Sequence, residues 1–179
     1  NIGRDKINSD NTIINGPVTI GGEHSPIAAW MSALEKEISS NEQINVLIDT
    51  LQMYATRESH DGIEGLENKL KHAGREEDEV KRALQKKELF VRLLARYSMF
   101  ESAQEIFAYL LSKVECDYRS YVLPDLAQKS PAEVDQLFHQ YVIIPCSNEI
   151  KSGVFCLNSA IAAGMVYWLA EQCFIRWHP

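Results

Sequence analysis

From Val154 to Ala170 the chain runs for 17 residues without a charged side chain, and no other stretch constrains its fold so tightly. A helix apolar on every face either crosses a bilayer or is enclosed by the rest of its own chain. A span needs about 20 predominantly apolar residues, and this run is shorter and interrupted by Asn158, Ser159 and Gly164. The expectation is a buried helix, starting near Leu157, inside an all-α body. Ala160, Ala162, Ala163 and Gly164 are small enough to let neighbouring helices approach closely, which suits a central element or a self-association face. Enclosure requires apolar surface elsewhere, and 179 residues at 45% hydrophobic and 24% charged supply it for one domain.

The enclosing helices are written in the apolar spacing. Ile27, Trp30, Met31, Leu34 and Ile38 recur at helical period just after Pro26. Ser40-x-x-Gln43 reads as the capping box of a second helix carrying Ile44, Leu47, Ile48, Leu51 and Tyr54, broken by residues 58–62. Asp61-x-x-Glu64 opens a short third helix with Ile63, Leu66 and Leu70 inward and Gly74 as its left-handed C-terminal residue. Residues 75–97 form a long helix with Glu76 to Glu79 at its start and Arg92 and Arg96 towards its end, the order a helix dipole favours. Val80, Leu84, Val91 and Leu94 are its expected core face. Ser98-x-x-Glu101 reads as the cap of another long helix, with Ala103, Ile106, Phe107, Leu110, Leu111 and Val114 inward and Pro124 beyond its end. At Ser130-Pro131-Ala132-Glu133 a capping serine, a proline at the first helical position and a reciprocal glutamate coincide. Val134, Leu137, Phe138, Tyr141 and Val142 then face the core. The sum is a compact all-α bundle of about seven helices.

Residues 1–22 have a different character, with Ile2, Ile7, Ile13, Ile14, Val18 and Ile20 among Asn, Gly, Asp and Thr. Asn15-Gly16 supplies the residues of a two-residue hairpin turn, although Pro17 removes a ladder donor. A lone hairpin is marginal in water. Residues 1–24 are therefore either a β-hairpin-like segment that pairs with copies of itself or a flexible connector, and 25–179 are the helical domain. On the first reading Ile7, Ile13, Ile14, Val18 and Ile20 are interface residues. The chain opens on Asn with no charged-then-apolar leader, so the expectation is a fragment of a longer protein without a signal peptide.

With 18 Lys+Arg against 25 Asp+Glu, the formal charge of -7 repels phosphate backbones and anionic membranes. Direct nucleic-acid binding is thus not the default. Nine of the 18 cations nevertheless fall in residues 69–96, with Lys81, Arg82, Lys86 and Arg92 as the candidate basic patch. Interleaved Glu76, Glu77, Asp78, Glu79 and Glu88 argue instead for an ordinary solvated helix face. Glu79-Val80-Lys81 imitates the Glu-x-Lys of metal-dependent nucleases, but it lies inside a helix where Asp78 with Arg82 and Glu88 with Arg92 pair at i,i+4. Glu58, His60 and Asp61 imitate an acid/base cluster and read more simply as loop and capping residues. No nucleophile elbow, phosphate-binding loop, dinucleotide fingerprint or zinc-helix motif is present, so no catalytic, cofactor-binding or metal residue is assigned and this stretch is read as non-enzymatic. Cys116, Cys146, Cys156 and Cys173 form no C-x-x-C pair and are expected to be reduced, buried thiols of a cytoplasmic protein. Tyr167, Trp168 and Trp177, near the end of the sequence, fit either core packing or a protein interface.

Several pieces together resemble a family. They are Gly3-Arg4-Asp5-Lys6-Ile7, Leu66-x-x-Lys69-Leu70, Lys87-x-x-Phe90 with Ser102-Ala103-Gln104-x-Ile106, and Gly164-Met165-x-Tyr167-x-Leu169 leading to Cys173-x-Ile175-x-Trp177. Their order, over nearly the whole chain, is similar to the C-terminal domains of effectors in bacterial ABC-three-component conflict systems, also called Lamassu, which act against phages and plasmids. The family often has a Thr-Gly-Asn turn before the cysteine and a histidine after it; here Ala170, Glu171, Gln172 and Phe174 occupy those places. The resemblance implies a helical module joining a variable N-terminal effector, often a nuclease or protease, to an SMC-like ABC ATPase and a small middle component. It further implies that sensing of foreign DNA releases the effector to self-assemble. The expected function is a non-catalytic assembly and regulatory module, homo-oligomeric and not membrane-bound; the rival is a nucleic-acid-binding helical module using residues 69–96.

Overall fold

A computed structural model describes residues 25–56 and 62–179. Among these residues there are seven helices and no strand: α1 Ile27–Ser40, α2 Asp49–Ala55, α3 Leu66–His72, α4 Glu77–Tyr97, α5 Glu101–Tyr121, α6 over 131–147, and α7 Ser159–Glu171. The all-α expectation is met. Residues 1–24, with Ile7, Ile13, Ile14, Val18 and Ile20 and the hairpin reading, lie outside the described residues, as do Glu58, His60 and Asp61.

The uncharged run becomes α7 and is enclosed, with Ala162 to Val166 and Trp168 to Ala170 buried. No helix among the described residues is long and apolar enough to cross a membrane. The most extensive helix pair is α4 with α7. Gly164 explains how close it is, because a Cβ there would sit 2.2 Å from the Lys86 carbonyl oxygen and 3.1 Å from the Phe90 Cβ. The small residues of α7 thus serve contact within the chain. The second enclosed helix is α5, which buries Ala103, Ile106, Phe107, Leu110, Leu111 and Val114 as expected, with α1 and α2 covering it and α6 packed beside it.

Helix ends depart most from the sequence reading. Gly74 (φ +75) closes α3 as expected: its N–H donates to the Lys71 carbonyl and the Arg75 N–H to the Leu70 carbonyl, both at 3.0 Å. This is the Schellman pattern. It recurs at Asn41 (φ 54) after α1 and at Cys173 (φ 71) after α7. Ser40 therefore belongs to the last turn of α1 and caps nothing. The following residues run as a loop to α2, because tertiary partners take their donors: Ile44 N–H donates to the Met99 carbonyl at 2.8 Å and Ile48 N–H to Gln104 Oε1 at 2.7 Å. Ser98 likewise closes α4, and α5 starts from Phe100. Helix α3 starts at Leu66, whose N–H donates to Glu171 Oε2 at 2.6 Å. The boxes at Glu76/Glu79 and at Ser130/Glu133 are local.

Two core faces also need correction. Helix α4 buries Val80, Ala83 and Phe90, while Leu84, Val91 and Leu94 are half-buried. Helix α6 is α-helical over Pro131–Leu137, π-helical over Phe138–Ile143 and α-helical again over Ile144–Ser147. A π-turn holds one extra residue, which rotates the remainder of the helix by roughly 100° about its axis. Val142 and Cys146 consequently point inward, and Tyr141 and Ile144 outward. Of the cysteines, all unpaired, Cys146 alone is buried; Cys116 and Cys156 are exposed and Cys173 is half-buried.

Candidate docking surface

Because α4 packs on α7 along one side, its opposite side is free to present side chains. Lys81, Leu84, Gln85, Glu88, Leu89 and Arg92 line a shallow depression there, with Leu89 45% exposed. Arg82 pairs with Asp78 at 2.8 Å and Arg92 with Glu88 at 3.1 Å, the i,i+4 pairing expected. Such exposed pairs are each worth only a few tenths of a kcal/mol, so they orient the arginines more than they stabilise the helix. Lys81 and Lys86 have no ion-pair partner among the described residues.

At the N-terminal half of α4 this ridge borders a cleft of about 230 Å³, where Leu70 of α3, Asp135 of α6 and Tyr167 of α7 meet Glu79, Arg82 and Lys86. Arg75 anchors it: its side chain is 7% exposed, and Nη2 donates to Asp135 Oδ1 at 2.8 Å and to the Pro131 carbonyl at 3.1 Å. Burial raises the Asp135 carboxyl pKa from its ordinary value; Arg75 opposes that rise and Glu79 adds to it. The Tyr167 phenol is also raised, first by burial and then by the charge of Asp135. Its ring stacks on Trp177 with centroids 5.6 Å apart, and Trp177 lies 5.0 Å from Phe138.

The structure therefore brings Arg82, Lys86, Tyr167 and Trp177 together around one cleft and sets Lys81 and Arg92 on the adjoining ridge. Trp168, 7% exposed, packs edge-on against Phe90 at 5.6 Å. Trp168 and Trp177 are buried among core residues, and Tyr167 is half-buried at the cleft.

The sequence reading passed over polar residues that hold these elements in place. Lys69, counted among the surface cations, is 1% exposed, and its Nζ donates to the Ala170 carbonyl at 3.0 Å and the Ile175 carbonyl at 3.4 Å. A lysine here meets the negative end of α7. Its place between Leu66 and Leu70 on one helix stripe was the available signal. Gln104, also 1% exposed, accepts from Ile48 N–H and donates to the Val46 carbonyl at 3.1 Å and the Ser98 carbonyl at 2.6 Å. Glu37 accepts from the Ser102 N–H and hydroxyl. Lys87 stands 3.7 Å from Glu171. No group of three or more His, Cys, Asp or Glu that could hold a metal occurs among the described residues.

These contacts define an all-α domain tied together by polar clamps at its helix ends, with a charged ridge and cleft along α4. Residues 65–177 match the family model for C-terminal domain 9 of the ABC-three component (ABC-3C) systems. The chain belongs to that family. Helices α1 and α2 and the loop between them precede the matched residues. No curated protein and no solved structure matches the chain.

Proposed function

We propose that this chain is the non-catalytic assembly and regulatory module of a Lamassu-type bacterial defence effector. In this reading it works in the cytoplasm, associates with its own copies, and docks on an SMC-like ABC ATPase with the small middle component of the same system. The observation that supports docking most is the α4 side, where the family-matched residues place exposed cations, Leu89 and the Arg75 cleft on a helix locked from behind by α7. Protein docking is favoured over nucleic acid because the basic stretch is not presented as one field. Lys69 is buried, and Lys71, Arg75, Arg82, Lys87 and Arg92 each stand beside a carboxylate. Tagged chain co-expressed with the ATPase and middle component is expected to co-elute with them, and R82E/K86E to lose them. Absence of co-elution for the unaltered chain overturns docking. Duplex DNA binding that falls steeply with salt would instead favour the nucleic-acid reading.

A further inference from the structure

A second exposed apolar surface lies on the loop between α1 and α2. Ile44, Val46, Leu47 and Ile48 line an open depression there with Glu101, and Val46 is 75% exposed. This loop is held fixed. Gln104 bonds the backbone on both sides of Leu47, at the Val46 carbonyl and the Ile48 N–H, and Ile44 N–H is tied to the Met99 carbonyl. A loop secured by a buried, fully engaged glutamine presents its apolar residues with little ordering left to lose on contact.

Charge indicates what covers it. In residues 35–49 and 98–105, Glu35, Glu37, Glu42, Asp49, Glu101 and Glu105 stand against Lys36 alone. The α4 ridge has the opposite balance even with its ion pairs counted, since Arg82 and Arg92 pair with Asp78 and Glu88, Lys81 and Lys86 have no ion-pair partner among the described residues, and Leu84 and Leu89 lie between Lys81 and Arg92. One surface is apolar in an acidic segment and the other apolar in a basic one. We infer that the 44–48 loop of one copy seats on the α4 ridge of a second copy. The inference specifies the self-association in the proposed function and rests on it. Two different surfaces meet in this contact, so repetition builds a ring if the rotation closes and an open chain if it does not.

Sedimentation velocity on the full chain at low and high salt tests the contact. Association is expected, and it weakens as salt screens the opposed charges. V46K and L89D alter exposed positions, each adding the charge that the opposite surface repels, and should each sediment as single chains with unchanged far-UV circular dichroism. An equimolar mixture of the two should form a two-chain species and nothing larger, because only one intact loop-and-ridge pair remains. Val46→Ser and Leu89→Ser, which remove apolar contact without adding charge, should weaken association less. An oligomer that persists in both V46K and L89D, or a mixture that stays single-chain, overturns this contact while self-association stands. A single-chain wild type overturns both and leaves docking on the ATPase to the co-elution experiment.

Discussion

Among single residues, Lys69 is a buried cation that fastens α3 to the end of α7. Its truncation to Ala removes the buried stem, takes the ammonium donor from the Ile175 carbonyl and leaves the Ala170 carbonyl only the Cys173 N–H, which should cost roughly 3 kcal/mol, read as a lowered urea midpoint. Cys173 presents the reverse case. It holds a left-handed φ of 71, a conformation costly to a residue with a Cβ, so Cys173→Gly should stabilise by roughly 1 kcal/mol in the same measurement. The other thiols separate by environment. Burial pushes Cys146 up to about 12, so in native buffer a thiol reagent should label Cys116 and Cys156 and reach Cys146 only on unfolding, as peptide mass spectrometry would show. Cys173 does not announce its role in sequence, and Lys69 does so only through its place on the stripe of Leu66 and Leu70, because a left-handed cysteine and a buried cation are set by what packs around them.

At the scale of helices, the α4–α7 crossing is the least forgiving contact. Gly164→Ala gains helix propensity of about 1 kcal/mol, but its Cβ would meet backbone at 2.2 Å; separating two packed helices outweighs that gain, and a net loss of about 2 kcal/mol is expected in thermal melting. The start of α6 is pH-sensitive. Hydrogen bonds from the Ser130 N–H and hydroxyl hold the Glu133 pKa below its usual value, so its contribution is fully present above that value and is lost as pH falls through the lower, folded one. Glu133→Gln should therefore flatten the acid limb of stability measured against pH. Helix existence was legible from apolar period, and the caps at Ser130 and Gly74 were legible because every participant is local. The starts of α2, α3 and α5 were not. Their donors go to Gln104, Glu171 and Glu37, which lie 56, 105 and 65 residues away in sequence, while Ser40-x-x-Gln43 and Ser98-x-x-Glu101 imitate caps beside helix C-termini.

Taken as a whole molecule, the chain divides its core unevenly with respect to its family match. Helices α1 and α2 cover α5 although both precede residue 65. A fragment of residues 65–177 should therefore expose part of the apolar surface of α5, bind a hydrophobic dye and melt with less cooperativity than the full chain. The charged side chains of the candidate surface along α4 were legible one by one, as its i,i+4 pairs show, whereas the cleft was not, since Arg75, Asp135 and Tyr167 meet only through tertiary packing. The clamps on α3 also set a timetable. Leu66 N–H waits for Glu171, and the Lys69 ammonium for carbonyls at residues 170 and 175. During synthesis on a ribosome, α3 emerges about a hundred residues before these partners, so it stays unfastened until α7 has been translated. The α4 surface reaches its final shape only then, and a nascent chain cannot present it early.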